Sequence, residues 1–242
     1  MIATTYKIRL TKKEHVAENT MAFHFEKPSG FHFKPGQYID VTLINPAETD
    51  PDGNIRSFSI ASSPEEDHLT VLTRLRDTAF KRVLQAMPFH GEVEMEGPYG
   101  YFTLHHHGQK AAVLLAGGIG VAPFLSMIRH ATRQKLPHLL YLFYSNRRPE
   151  DAAFIRTLQQ LENENTNLHF IPTMTAMDTS QQEWSSETGF IDRKMLHRYL
   201  KDFRGSIYYV AGPPAMAAAM RQMLATVPVD RDYIISEDFI GY

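Results

Sequence analysis

The sequence predicts a two-domain fold of class β + α/β, with a small antiparallel β-barrel followed by a Rossmann-like parallel sheet with helices. In the first hundred residues, short segments of alternating apolar and polar residues are separated by turns rich in Gly, Pro, Asn and Asp. After Gly108, apolar runs alternate with helical patterns, as in the βαβ units of a parallel sheet. We therefore expect the two domains at 1–104 and 109–242.

The barrel domain is expected to consist of short strands joined by turns. The segment 45–54 is rich in Pro, Asp and Gly and is predicted to be a loop, and a short helix is predicted near 79–86. The strands are expected at 6–10, 21–25, 38–43, 56–61, 69–75, 91–96 and 101–104.

The second domain is expected to bind its ligand at the carboxyl ends of its strands, as parallel sheets do. Its boundary segment, His105-His106-His107, is predicted to be a solvated linker, because three consecutive histidines on a strand cannot all face one metal. Strands are expected at 111–116, 138–144, 168–172 and 207–211, and helices near 121–134, 150–164, 192–201 and 213–226.

The composition narrows the class of protein. The chain has 242 residues, 43% hydrophobic and 21% charged, which is typical of a soluble globular protein. The net charge of −2 does not support a nucleic-acid binder or a polybasic membrane anchor. The apolar runs are shorter than a membrane span and no leader pattern begins the chain, so a cytoplasmic protein is expected.

The residue types also exclude several kinds of site. The sequence contains no cysteine, which excludes disulfides, thiolate zinc sites, cysteine-ligated iron–sulfur clusters and cysteine nucleophiles within these 242 residues. Its twelve histidines are scattered and form no H-E-x-x-H pattern, so no metal site is predicted.

A glycine-rich turn lies between the first predicted strand and helix of the second domain. It contains Gly117, Gly118, Gly120 and Pro123. Glycines at such a turn let the backbone approach a phosphate, whose charge the helix N-terminus stabilises. The spacing G-G-x-G-x-x-P only half meets the dinucleotide pattern G-x-G-x-x-G, so tight packing of strand on helix is the alternative.

A second pattern, Arg56-Ser57-Phe58-Ser59, lies on a predicted barrel strand. The period of two places Arg56 and Phe58 on one face and the two serines on the other. An ordinary barrel strand would explain this pattern in isolation. The turn Gly97-Pro98-Tyr99-Gly100 follows about forty residues later.

With these motifs in this order, the chain resembles the ferredoxin–NADP reductase family over essentially its whole length. The resemblance implies an NAD(P)H-dependent flavoprotein oxidoreductase with a flavin barrel and a nicotinamide-binding domain. Hydride would pass from NADH or NADPH to FAD, with FMN as the second choice of flavin, and electrons would pass on to a separate ferredoxin, flavodoxin or oxygenase component. A non-catalytic flavin-binding subunit of a larger complex is the alternative, and a two-domain protein without flavin is a third possibility.

The resemblance implies roles for individual residues of the flavin motif. Arg56 would neutralise the flavin phosphate, Phe58 would stack on the isoalloxazine, and Ser59 would hydrogen-bond near flavin N5. Ser62 extends the motif in the way usually linked with FAD. Further cofactor contacts are implied for Ser57, Arg74, Gly97, Tyr99, Gly100, the glycine turn with Gly117, Gly118, Gly120 and Pro123, and a second nucleotide loop with Gly212, Pro213 and Met216.

The chain departs from the family pattern at the flavin phosphate and near the nicotinamide. The family's phosphate turn is replaced by the segment Thr78 to Lys81, where a helix N-terminus with Thr78 as cap and Lys81 as cation could hold a phosphate. Ala211 stands where many members carry a cysteine close to the nicotinamide. The resemblance implies that hydride transfer remains possible without that thiol and leaves its rate open.

The choice between NADH and NADPH stays open, with NADH slightly favoured. NADPH-using members carry a Ser-Arg pair where this chain has Thr173-Met174-Thr175. Arg147 and Arg148 could meet a 2′-phosphate by bidentate contact, or they could form a solvated loop pair.

The C-terminus is too apolar for a free tail. In the family, terminal aromatic and acidic residues approach the flavin ring, so the resemblance gives Phe239 or Tyr242 that place. The alternative is a last strand whose aromatics pack into the core.

Overall fold

The computed structural model describes residues 4–108 and 110–239, and it contains one antiparallel and one parallel sheet. The predicted fold class is therefore confirmed. The antiparallel sheet belongs to the first part of the chain and the parallel sheet to the second, in the order that the sequence predicts.

The first sheet has six strands in the order β4-β3-β6-β1-β2-β5, and all of its pairs are antiparallel. The predicted helix at 79–86 is present as α1. The elements are β1 (Thr5–Ala17), β2 (Thr20–Glu26), β3 (Tyr38–Leu43), β4 (Ile55–Ser59), β5 (His68–Arg74), α1 (Ala79–Ala86) and β6 (Glu92–Tyr99).

The two edge strands of this sheet approach each other and close it into a barrel. The N–H of Ala61, just after β4, donates to the carbonyl of Thr70 in β5 (2.8 Å). Inward residues of the strands form an apolar core, and α1 contributes the buried side chains Phe80 and Leu84 to it. The N-terminus of α1 is thereby fixed close to β4.

The second sheet has six parallel strands in the order β10-β9-β8-β7-β11-β12. Its central strands are almost entirely buried and apolar, as expected for a parallel sheet covered on both faces. The elements are β7 (Ala111–Gly117), α2 (Val121–Arg133), β8 (Leu140–Asn146), α3 (Ile155–Glu164), β9 (Leu168–Met174), β10 (Glu187–Thr188), α4 (Arg193–Tyr199), β11 (Ser206–Gly212), α5 (Pro214–Leu224) and β12 (Ile234–Asp238).

The helix predicted near 150–164 begins later than expected. Pro149–Asp151 forms a separate turn of 3-10 helix, and Phe154 adopts a left-handed backbone with φ 57° immediately before α3. A residue in that conformation interrupts a right-handed helix. The helix therefore starts at Ile155.

The strand predicted at 101–104 is absent, so that prediction is wrong. Phe102 is buried, and its ring lies 5.6 Å from that of Phe124 in α2 and 5.7 Å from that of Tyr209 in β11. The chain leaves the barrel at this point because burying Phe102 against the second domain removes it from the strand path.

The histidine segment is the predicted solvated linker only in part, since His106 and His107 are exposed whereas His105 is anchored. The N–H of His105 donates to the Tyr209 hydroxyl (2.9 Å), and the carbonyl of His105 lies 2.8 Å from Nε2 of His138. Burial lowers the pKa of His105. Hydrogen bonds to the Lys110 and His107 carbonyls act in the opposite direction and offset only part of this effect. His105 thus anchors this connection between the domains, while His106 and His107 face solvent.

One apolar core crosses the domain boundary. Ala61, Leu72 and Phe102 of the barrel region belong to the same cluster of buried residues as Phe124 and Leu125 of α2. Such a cluster resists separation because opening it would expose apolar surface to water. The two domains are therefore packed as one body along this face.

A polar contact accompanies this core. The buried hydroxyl of Ser126 in α2 donates to the carbonyl of Ser62 (2.6 Å). A guanidinium nitrogen of Arg129, one turn later, lies 3.5 Å from a carboxylate oxygen of Glu66. Directional contacts of this kind fix how α2 sits on the barrel.

No helix in the described ranges 4–108 and 110–239 combines the length and the apolar character needed to cross a bilayer.

Gly36 allows the close approach of the barrel to α2, and its replacement tests the rigidity of this interface. Gly36 has a φ of +98°, and a Cβ there would overlap the Phe102 carbonyl and lie 2.5 Å from Cε of Met127. We expect Gly36→Ala to lower the free energy of unfolding by about 3 kcal/mol, from backbone strain and overpacking together. Urea denaturation measures it.

Gly30→Ala is the matched control, because Gly30 has a φ of +76° but a Cβ added there would lie in open space. It should cost about 1 kcal/mol, from backbone strain alone. An equal loss of the free energy of unfolding in the two variants would show that the interface can shift to accommodate a Cβ at Gly36.

Candidate active site

The two predicted nucleotide loops lie side by side at the carboxyl edge of the parallel sheet. β7 and β11 are neighbours in the sheet. β7 ends at Gly117 and leads through a 3-10 turn, Gly118–Gly120, into α2, while β11 ends at Gly212 and leads into α5. The N-termini of both helices therefore face the same edge.

The glycines of these loops permit close packing of one loop on the other. A Cβ on Gly120 would overlap the carbonyl of Ala211, and a Cβ on Gly212 would lie 3.2 Å from the backbone of Gly117. Gly118 adopts a positive φ of 53°. The tight packing that was the alternative explanation of this turn is thus present. It does not exclude a ligand, because the helix N-termini remain at the edge.

Pro123 and Met216 also belong to this region. Pro123 is buried within α2. Met216, near the start of α5, is the side chain that a Cβ on Gly117 would meet. Pro213 caps the N-terminal end of α5 without a side-chain hydrogen bond.

An apolar cavity of about 230 Å³ adjoins the second loop. Its lining includes Phe190, 78% exposed, which follows Gly189 at the end of β10. Sequence reasoning missed Phe190. The sequence signal that could have identified it is an aromatic residue two positions before Asp192, the N-cap of α4. The other lining residues include Ser145, Ile191, Met216, Met220 and Met223.

The barrel contributes β4 to the site. Cross-strand pairing places Ser59 opposite Tyr38 and Ser57 opposite Asp40, and Ser57 Oγ donates to the Asp40 carboxylate (2.5 Å). Phe58 points into the barrel, is only 8% exposed, and lies 6.0 Å from the ring of Phe80. The predicted stacking of Phe58 on a flavin would require this ring to leave that contact.

The N-terminus of α1 and Arg56 lie next to each other. Thr78 caps the helix and accepts a hydrogen bond from the N–H of Lys81 (3.4 Å), and the guanidinium of Arg56 lies over the ring of Phe80 (5.1 Å). Burial, together with the neighbouring charges of Arg76 and Arg56, lowers the pKa of Lys81. Several cations and a helix N-terminus gathered at one place form a donor set that suits a phosphate.

The GPYG turn closes the end of β6. Gly97 and Gly100 adopt positive φ values of 141° and 91°. The ring of Tyr99 lies 5.6 Å from that of Tyr38, and its hydroxyl donates to Glu96 (3.3 Å). The turn thus lies beside the start of β3, which pairs with Ser59.

Two other predicted residues are engaged inside the protein. Ser62 is completely buried, and its Oγ accepts a hydrogen bond from the N–H of Thr70 (3.0 Å). Arg148 binds Asp151 through two nitrogens (3.0 Å each) and Glu18 through one (2.7 Å). Both side chains therefore have partners within the protein, and the complete burial of Ser62 closes its hydroxyl off from a cofactor in this arrangement.

Arg74 and Arg147 lie at two different strand ends. Arg74 is the last residue of β5 and is half-buried. Arg147 is exposed and follows β8, at the carboxyl edge of the parallel sheet. Of the predicted pair, Arg147 is therefore the exposed member at this edge.

The last described strand brings an acidic residue beside Ala211. β12 pairs with β11 so that Glu237 lies opposite Ala211. Burial raises the pKa of Glu237, and its Oε2 has no hydrogen-bond partner within the described residues. Sequence reasoning did not single out Glu237, although an acid inside an apolar terminal segment was a visible signal.

Phe239 continues this strand toward the second loop. Its N–H donates to the carbonyl of Gly212 (3.0 Å), and its ring packs against the core that crosses the domain boundary. This packing agrees with the alternative in which the terminal segment joins the core. Tyr242 lies outside the described residues.

Comparison with known proteins agrees with both halves of this arrangement. Residues 7–104 match the sequence model of the oxidoreductase FAD-binding domain, and residues 114–222 match that of the oxidoreductase NAD-binding domain.

Two curated relatives are reductase components of oxygenases. The glycine betaine monooxygenase reductase subunit of Chromohalobacter salexigens is 27% identical over 223 residues, which cover 91% of this chain and 60% of that protein. The propane 2-monooxygenase reductase component of Rhodococcus jostii is 26% identical over 240 residues, which cover 96% of this chain and 63% of that protein. The chain thus spans about 60% of the length of these relatives.

Solved structures show the same fold. A cytochrome P450 reductase from Amycolatopsis superposes with a TM-score of 0.81 at 20% identity, covering 99% of this chain and 71% of that one. A ferredoxin NADP+ reductase from Neisseria gonorrhoeae, with bound FAD and NADP, superposes with a TM-score of 0.75 at 20% identity, covering 97% and 98%. From its two matched domains and its fold, the chain belongs to the ferredoxin–NADP reductase-like family of flavoprotein oxidoreductases.

Proposed function

We propose that this chain is an NAD(P)H-dependent flavoprotein reductase that passes electrons to a separate acceptor. The observation that carries the proposal is the single core joining the barrel to α2, the helix that follows the first nucleotide loop. When both cofactors are bound, the nicotinamide supplies a hydride from C4 to flavin N5, and the flavin releases electrons singly or in pairs. The protein contributes position and electrostatics.

The barrel is proposed to hold FAD through its phosphates. Arg56, Lys81 and the N-terminus of α1 supply positive charge and N–H donors at one place. FAD is preferred over FMN because this group of cations suits a diphosphate. The hydroxyl of Ser59 is proposed to hydrogen-bond near flavin N5, as the family resemblance implies.

The parallel sheet is proposed to hold the nicotinamide nucleotide across its two loops. The helix N-termini after Gly120 and Pro213 would receive the diphosphate. The cavity beside Phe190 is apolar and lies next to Met216 of the second loop, so it would receive the adenine. Ala211 and Glu237 would lie on the nicotinamide side.

NADH is proposed as the preferred co-substrate. A 2′-phosphate needs a cation, and Arg148 is already engaged with Asp151 and Glu18. The end of β9, Thr173–Thr175, carries no arginine. Arg147 remains as the side chain through which NADPH could be accepted.

The acceptor is proposed to be an oxygenase component, a ferredoxin or a flavodoxin. The first two relatives are reductase parts of monooxygenases, which favours an oxygenase component. These 242 residues contain no cysteine to ligate an iron–sulfur cluster, so within them the flavin would be the last carrier. We further propose domain limits of 1–104 and 109–242 and a cytoplasmic location.

The purified chain tests this function directly. We expect a yellow protein with one FAD per chain that oxidises NADH in the presence of an artificial electron acceptor. A flavin-loaded chain that does not turn over would favour the non-catalytic subunit. A chain that binds neither FAD nor FMN would contradict the proposal.

Replacing Arg56 tests the proposed flavin-phosphate site. We expect Arg56→Ala to weaken FAD binding by about 1.5–3 kcal/mol, the scale of a lost charge-assisted hydrogen bond. Titration of the flavin-stripped protein with FAD measures the change. Arg9→Ala removes the same charge from the outer face of β1, where Arg9 pairs with Glu92 (3.1 Å), and should leave FAD binding unchanged. Equal FAD affinity in both variants would place the phosphate elsewhere.

Replacing Gly120 tests the nucleotide loops. A Cβ there would meet the Ala211 backbone and push the two loops apart. We expect Gly120→Ala to raise the dissociation constant for NADH by about tenfold or more, with the flavin spectrum retained. Gly205→Ala, in open space just before β11, is the control and should bind NADH normally. Normal NADH binding by Gly120→Ala would show that the loops serve packing alone.

A further inference from the structure

A carboxylate occupies the N-terminus of α1. Asp50, in the loop between β3 and β4, accepts a hydrogen bond at Oδ2 from the N–H of Ala79 (3.0 Å), and Arg56 Nη2 donates to its Oδ1 (3.2 Å). One side chain thus bridges the first turn of the helix and the guanidinium of Arg56. These are the two groups to which the proposed function assigns the flavin phosphate.

Asp50 and a phosphate oxygen cannot use these groups together. The Ala79 N–H directs its one hydrogen at a single acceptor, as the free donors of a first helical turn do. Two anions at the same helix N-terminus would also repel each other. Binding of one therefore requires departure of the other.

Further contacts hold the loop in this position. Glu48 forms a two-pronged pair with Arg82 of α1 (2.9 and 2.5 Å). Nη1 of Arg56 donates to the carbonyls of Asp52 (2.9 Å) and Gly53 (3.1 Å). The segment 45–54 is thus fastened to both sides of the anion site.

Asp50 is charged at neutral pH. Burial alone would raise its pKa, but hydrogen bonds from Arg56 and Ala79 hold the pKa of this carboxyl below its usual value. Arg56 and Lys81 both lie at this helix N-terminus, and burial, then the charges of Arg76 and Arg56, lower the pKa of Lys81. A diphosphate carries two negative charges and offers more acceptor oxygens than one carboxylate, so it would engage more of these donors than Asp50 does.

We propose that Asp50 is an internal competitor of the flavin diphosphate. In the flavin-free protein its carboxylate takes the position of a phosphate oxygen at Ala79 and Arg56, and segment 45–54 withdraws it when FAD binds. The carboxylate thus stabilises the empty site and lowers the affinity and association rate of FAD. This inference rests on the proposed function, since it takes the flavin site as given.

Flavin binding by the stripped full-length chain tests this competition. Asp50→Asn keeps the size of the side chain and removes its charge. We expect FAD to bind about tenfold more tightly and to associate faster, measured by quenching of flavin fluorescence. Asp52→Asn is the matched control, because Asp52 lies on the same loop, 3.7 Å from Arg56 Nη2, with a side chain that is 79% exposed. It should change the affinity by less than about twofold.

Thermal unfolding gives a second readout that does not depend on affinity. Asp50→Asn should lower the melting temperature of the flavin-free protein and leave that of the FAD-bound protein unchanged, because bound FAD would have displaced the contact. Glu48→Gln loosens the loop without touching the anion site. It should accelerate FAD association as well, so the proposal stays testable if Asp50→Asn folds poorly.

Several results would overturn the competition. The competition is ruled out if Asp50→Asn binds FAD no more tightly than Asp52→Asn does. Weaker FAD binding by Asp50→Asn than by the wild type would show instead that Asp50 positions Arg56 in the flavin-bound site. An equal loss of melting temperature by Asp50→Asn with and without FAD would lead to the same conclusion. A wild-type chain that binds neither FAD nor FMN would contradict the proposed function itself, a result distinct from all of these.

Discussion

The apolar core that crosses the domain boundary is the constraint on which the arrangement depends. Phe102 leaves the barrel and lies between Phe124 of α2 and Tyr209 of β11. Burying one such ring stabilises the packed state by about 1.5–3 kcal/mol, and the cluster contains many more apolar side chains. Because close-packed interiors do not deform continuously, the barrel and the parallel sheet are held at one relative position.

This fixed position matters for the proposed chemistry. Hydride transfer needs two rings at near-contact distance, and a displacement of about 1 Å can cost on the order of a hundredfold in rate. The flavin would be bound by the barrel and the nicotinamide by the other domain, so the distance between the rings is set by the interface. Ser126, which donates to the Ser62 carbonyl (2.6 Å), adds direction to a contact that apolar packing alone would leave free to slide.

Local patterns predicted the elements well. The βαβ series, the helix at 79–86 and the glycine turn after β7 all follow from residues that are close in sequence. What the sequence did not reveal depends on segments that meet only in the fold. Phe102 was assigned to a strand because the local pattern does not show the partners of its ring. Those partners lie in α2 and β11, far along the chain.

The candidate site shows the same division. The motifs around Arg56 and Gly117 were visible, but the partners of Arg148 and Ser62 were not, since Glu18 lies far away in the chain and Thr70 lies in β5. Phe190 and Glu237 were overlooked because their surroundings are formed by other strands and helices. A sequence pattern thus identifies residues with suitable functional groups more readily than it identifies which of those side chains are accessible to a ligand.

The central claim is that the two domains bring NADH and the flavin together for direct hydride transfer. Anaerobic rapid mixing of the FAD-loaded chain with one equivalent of NADH tests it most directly. We expect the visible flavin absorbance to be lost in a single exponential phase, at a rate that falls when the transferred hydrogen is replaced by deuterium. A flavin that stays oxidised while NADH is bound would contradict it.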